Sequence, residues 1–252
     1  MTENSNLAMT ADEETYTDEE TLAQLEKVLK RRMGTYALLA RLYRKEVDGE
    51  FLEELQRMHF PAAAQEERIS RGYELMAKYL TGTYENTLQE LAVDFVRVFI
   101  GYGMDAYSAA FPYESVYTSE RRLLMQDSRD EVLALYRAAG LEKDKSWPES
   151  EDHLALELEY LAIHTRRAIE ALAAGDEDGA FANLVTQLHF MDDHLMNWVP
   201  MMTADMRKFA RTDLYRGLSY LTEGFLTEDR AFLAELVGED ADEEEAEAST
   251  QE

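Results

Sequence analysis

The sequence predicts an all-α protein, one helical bundle of about ten helices with an acidic, disordered segment at each end. Three observations predict it. Apolar residues recur every three to four positions over long stretches, and strand-like alternation is not evident. The 4 Pro and most of the 12 Gly fall between those stretches. A hydrophobic content of 46% over 252 residues is enough to build a substantial core.

Taken in order, Thr17-Asp18-Glu19-Glu20 has the capping-box pattern ahead of a first helix reaching about Lys45, with Leu22, Leu25, Val28 and Leu29 on its apolar stripe. Its Lys30-Arg31-Arg32 run gives that helix a basic edge. Shorter helices are predicted over Phe51–Met58 and Gln65–Leu80. Thr87-Leu88-Gln89-Glu90 caps the next helix or forms its first turn. That helix is expected at the centre, because Leu88, Leu91, Phe95, Val98 and Phe99 make one apolar face and Val93, Val96 and Ile100 another. Gly101 through Pro112 breaks the period, and a helix over Ser119–Ala139 follows, ended by Gly140.

The segment Leu141–Ser150, containing Trp147-Pro148, reads as a hinge loop, with Ser150 as N-cap of a helix to about Ala174. Stripes at Leu154, Leu158, Leu161 and Ala168 and at Leu156, Tyr160 and Ile163 make this an inner helix. After the turn at Gly175–Gly179 come a helix over Ala180–Asn197, a break at Pro200, and a final pair over Thr203–Gly224 and Glu228–Val237. The domain is thus 20–238, between tails at 1–19 and 239–252.

Composition excludes several functions. With no cysteine there is neither a disulfide nor a thiolate metal site. No run approaches the roughly 18 uninterrupted apolar residues of a membrane span, and the acidic N-terminus is unlike a secretory leader, so a cytoplasmic protein without membrane insertion is expected. Of the 52 acids, seven lie in Met1–Glu20 and eight in Glu239–Glu252, leaving 37 against 25 bases between them. Such tails bury too little apolar surface to order. The body stays acidic, which repels nucleic acid and attracts a basic peptide.

The chemistry-bearing motifs are few. No histidine has Glu three residues before it, and His-Glu-x-x-His, the phosphate-binding glycine loops and Gly-x-Ser-x-Gly are absent. His153 and Glu157, four apart beside Asp152, could form half a metal site or an acid/base pair. The simpler reading is an exposed first helical turn in which acids favour the dipole. His189 and His194, in the company of Phe190, Leu195 and Trp198, read as packing beside a polar helix edge.

Three blocks together resemble the TorD/DmsD/NarJ group of redox-enzyme chaperones, most closely its TorD-type branch. They are Phe111-Pro112-Tyr113-Glu114-Ser115-Val116-Tyr117, the run from Trp147-Pro148 through Asp152-His153 and Glu157 to Leu161, and His194-Leu195-Met196-Asn197-Trp198-Val199-Pro200. Two departures are Ser150-Glu151, which separate Pro148-Glu149 from Asp152-His153, and Met201-Met202, where the family often has an aromatic. The resemblance implies an all-helical, non-catalytic protein without cofactor or metal. It implies a chaperone that binds a molybdoenzyme precursor, through its twin-arginine leader and its body, until cofactor insertion is complete. A monomer and a domain-swapped homodimer are both compatible with it.

The residues carried over are Tyr113, Glu114, Tyr117, Asp152, His153 and Glu157, joined by Trp147 and Pro148 of the hinge. A leader with a basic end and an apolar segment needs carboxylates beside an apolar wall. Glu114, Asp152 and Glu157 are expected to supply the charge, and Tyr113, Tyr117 and Trp147 the wall. The alternatives are an acidic interaction adaptor and a metal-dependent helical enzyme using His153 and Glu157.

Overall fold

The first helix, α1, spans Asp18–Arg44 and buries Leu29, Tyr36, Leu39, Leu42 and Tyr43 on one stripe, each worth roughly 1.5–3 kcal/mol of burial. It belongs to a computed structural model that describes residues 18–61, 64–82, 85–101 and 108–250, with side chains from 20 to 238. The proposed cap at Thr17 and the 1–17 segment lie outside them. Next come α2 (Gly49–Arg57), α3 (Glu67–Thr81) and α4 (Thr87–Phe95), the last continuing into a π-helical turn, Val96–Ile100. Thr87 sits in the first turn of α4, whose N-cap is Asn86.

Only one face of α4 and its π turn is buried, through Leu91, Phe95, Val98 and Phe99. Leu88, Val93 and Ile100 are exposed, so this segment is not the inner helix that its two apolar faces predict. The π turn is one reason: its extra residue per turn rotates Ile100 away from the stripe that a regular helix would continue.

A five-residue helix, α5 (Glu114–Thr118), comes next, and of the helix predicted over Ser119–Ala139 only α6 (Asp127–Ala138) forms. Between them Arg122 and Met125 have positive φ (51° and 58°), which no helix accommodates. The inner helix is α7 (Leu154–Ala174), packed between α1 and α8 and buried on both predicted stripes except at Ile163. Its N-cap is His153, not Ser150: the imidazole Nδ1 accepts the Ala155 N–H at 3.0 Å, while the Ser150 hydroxyl is turned to Asp152.

Helix α8 (Glu177–Phe190) passes through a second π turn, Met191–Leu195, straight into α9 (Met196–Phe209). Pro200 therefore breaks nothing. It falls in the second turn of α9, just after the π turn, where the i→i−4 ladder is already displaced.

The last helix, α10, runs without interruption over Asp213–Thr250, so it joins the second predicted helix of the final pair to most of the first, whose start, Thr203–Phe209, belongs to α9. Gly224 fails to end it because it is a packing position, where a Cβ would come within 2.9 Å of Ile69 Cγ1 on α3. Gly217 makes the same close approach, with a Cβ position 2.7 Å from the Gly72 carbonyl. The backbone continues helical to Thr250, into the acidic stretch expected to be a disordered tail, where Ala and Glu favour helix and no proline intervenes. Among the described residues there is no strand, and no helix is long and apolar enough to cross a membrane.

Candidate functional site

The first two sequence blocks meet in space through a short antiparallel bridge between Tyr113 and His153. Glu114 N–H donates to the Asp152 carbonyl (3.0 Å) and Leu154 N–H to the Pro112 carbonyl (2.9 Å), so the start of α5 is tied to the start of α7. The Asp152 carboxylate completes the tie. It accepts the Ser115 N–H at 2.9 Å, which caps α5, and also the hydroxyls of Ser115 and Ser150.

The third block joins from above. Nδ1 of His194 lies 3.1 and 3.2 Å from the two Glu114 carboxylate oxygens, and Trp198 stacks on Tyr117 with centroids 5.7 Å apart. All three blocks therefore converge on one polar knot. Asp152 and Glu157 are 0% exposed, Glu114 3%, His153 4% and His194 4%. This corrects the sequence reading of His153 and Glu157 as an exposed first turn, and of His194 as mere packing. His189, by contrast, is exposed.

Burial sets the protonation states. His153 is held at about 3, first by desolvation and then by the Arg44 charge, so its ring is neutral, as its acceptor role at Nδ1 requires. Glu157 is raised well above the usual carboxylate range by desolvation and by the neighbouring Glu114 and Asp152. Neither of its oxygens has a partner in good hydrogen-bond geometry among the described residues, the Trp198 indole and the Glu114 carboxyl being its polar neighbours. A protonated acid is the form such a site tolerates.

The knot is poorly suited to a metal. Asp152 and the Nδ1 of His153 already accept protein donors, and no group of three His, Asp or Glu side chains among the described residues is arranged to hold an ion. Glu114, Asp152 and Glu157 are likewise not presented to solvent as the charged wall the sequence predicts. Asp152 and Glu157, at the start of an amphipathic pattern, gave no sign of being interior. Tyr117 and Trp147, expected in one wall, have different neighbours: Tyr117 lies with Trp198, Arg122 and Asp205, whereas Trp147 lies with Arg44 and His153.

What the knot positions is the Leu141–Ser150 loop. Trp147 and Tyr113 each set a ring 4.9 Å from that of His153, and the Tyr113 hydroxyl donates to Glu149. Arg129 and Lys143 pair with Glu151 at 2.7 and 3.3 Å. Two recesses flank the held loop. One, of about 350 Å³, is walled by Trp147, Leu141, Tyr136, Leu156 and Tyr160; the other, of about 410 Å³, lies against Trp147, Pro148 and Lys143. In the first, the Arg44 guanidinium sits 5.0 Å over the Trp147 ring and 3.2 Å from Glu159 Oε1. Glu159 and Arg44 were not singled out as site residues in the sequence, and Tyr160 was read only as part of an apolar stripe; nothing in their local pattern separates them from other helix-face residues.

The fold and site thus define a helical scaffold that holds a partly buried aromatic loop beside charged and apolar walls. A family model described as "Nitrate reductase delta subunit" matches residues 65–204, more than half of the chain. The chain belongs to this family, the NarJ/TorD group of redox-enzyme maturation chaperones, which is not a family of enzymes. It is similar to the chaperone protein TorD of Vibrio cholerae serotype O1, with 27% identity over 224 residues, 86% of this chain and 99% of the relative. TorD of Photobacterium profundum is 30% identical over 151 residues (60% and 67%), and that of Shewanella oneidensis 26% over 218 (82% and 92%).

Proposed function

We propose that this chain is a cytoplasmic chaperone for a molybdoenzyme precursor of the DMSO/TMAO-reductase class, and that it receives the precursor's twin-arginine leader in the recess between α1, α7 and the Leu141–Ser150 loop. One observation supports this most: an indole face and a carboxylate, Trp147 and Glu159, flank a guanidinium beside an apolar recess. A leader arginine exchanges with Arg44 in that slot, and the leader's apolar segment lies along Leu141, Leu156 and Tyr160. Cation–π and carboxylate contacts orient the arginine, while apolar burial contributes most of the affinity. Glu114, Asp152, His153 and Glu157 act as positioning residues that hold the loop in shape.

Calorimetric titration with a synthetic leader peptide tests this. Native protein binds it, and Trp147→Ala, the loss of a central aromatic anchor worth about 2 kcal/mol, weakens binding about thirtyfold. Glu159→Gln weakens it less, with a reduced salt dependence. Absence of binding by the native protein overturns the proposal.

A further inference from the structure

A recess of about 600 Å³ is on another part of the molecule, between α1, α3 and α10. Its walls are Val28, Ile69, Tyr73, Phe225 and Phe232, and Arg31 and Glu228 stand at its rim. Arg32, only 5% exposed, lines the same space. Its Nε and Nη2 are bonded to Asp229 (2.5 and 2.8 Å), and Nη2 also donates to Gln187 (3.0 Å). Nη1 is buried and has no acceptor among the described residues. The Phe232 ring lies 5.3 Å from the guanidinium carbon.

An unpaired N–H on a buried cation is costly, and it is relieved by an acceptor that reaches Nη1 from the recess past the Phe232 ring. The charges around the recess are balanced: Asp229 neutralises Arg32, and Glu228 offsets Arg31. A net anion or cation therefore gains little there. An apolar body with one uncharged acceptor gains both burial and the missing hydrogen bond. The size suits one or two side chains with their main chain.

We propose that this recess is a second peptide-binding site, which takes an uncharged apolar segment whose main-chain carbonyl accepts from Arg32 Nη1 as the Phe232 ring shifts aside. It does not depend on the leader-binding reading, since its ligand carries no arginine.

The test uses the full-length protein and N-acetyl-phenylalanine methylamide, followed by protein NMR with Phe and Tyr side chains labelled. Saturable shifts centred on Tyr73, Phe225 and Phe232 are expected, with affinity lost on Val28→Phe, which fills part of the recess. The paired change Arg32→Met with Asp229→Asn removes the donor without stranding a charge and lowers affinity about tenfold, its fold being checked by its melting curve. Ethylbenzene, which lacks the carbonyl, binds at least tenfold more weakly, and anionic N-acetyl-phenylalanine no better than the neutral probe. No saturable binding, equal binding of ethylbenzene, tighter binding of the anion, or indifference to Val28→Phe overturns the proposal.

Discussion

A neutral imidazole locked into the core makes the protein sensitive to mild acid, and the size of the effect follows from the structure. His153 moves from an ordinary value of 6.5 to about 3 on folding, through burial and the Arg44 charge. A group whose folded value is depressed takes up its proton in the unfolded chain first, so stability is lost as pH falls through 6.5 toward 3. Each pH unit in that window costs about 1.4 kcal/mol, which makes the loss about 2 kcal/mol between pH 7.5 and pH 5. His153→Asn isolates this contribution: asparagine still accepts the Ala155 N–H as an N-cap, but does not titrate. The ring contacts to Tyr113 and Trp147 are lost at every pH and give a constant offset. Urea unfolding of both proteins at pH 7.5, 6 and 5 should show the native protein losing about 2 kcal/mol more than the variant. Parallel pH profiles would refute the reasoning, because they would mean that His153 takes up no proton on unfolding.

The other buried groups give further predictions. Glu157→Gln should become steadily more stable than the native protein as pH rises from 5 to 8 in urea titrations, because a raised acid retains its proton in the fold while the unfolded chain releases it; a constant difference contradicts this. Asp152→Ala removes three hydrogen bonds and the cap of α5, and should cost about 3 kcal/mol by urea unfolding. A loss under about 1 kcal/mol would show that water replaces them. Gly217→Ala forces a Cβ against the Gly72 carbonyl and Met76, and should cost about 2 kcal/mol. The matching change Gly238→Ala, with open space around it, should be neutral or slightly stabilising in the same thermal melts.

Helix content and most of the helix order were legible in the sequence, because periodicity reports which stripe of a helix is apolar. The inner position of α7 followed from its two stripes. The same logic failed for α4, where a π turn shifted the phase, and for α10, where Gly224 reads as a terminator but acts as a contact surface for α3. Local pattern also missed the break at Arg122–Met125, since neither residue type announces a positive φ.

For the site, the three blocks identified which segments belong together, and the fold joins them through the Tyr113–His153 bridge and the Glu114–His194 contact. The sequence did not reveal that their acids are interior. A carboxylate is ordinarily exposed, and only partners distant in the chain, such as Glu114 and His194, make burial tolerable. Arg32 was hidden in the same way: a residue of an apparently basic helix edge has its partner, Asp229, near the other end of the sequence.

The two tryptophans offer a direct view of the hinge recess, because Trp198 is fully buried in the knot and Trp147 stands half-exposed on the loop. Fluorine NMR of protein labelled with fluorotryptophan should show the Trp147 resonance shifting to saturation as leader peptide is added, while that of Trp198 stays nearly still. Heat of binding with an unmoved Trp147 resonance would place the leader elsewhere on the molecule and contradict the account.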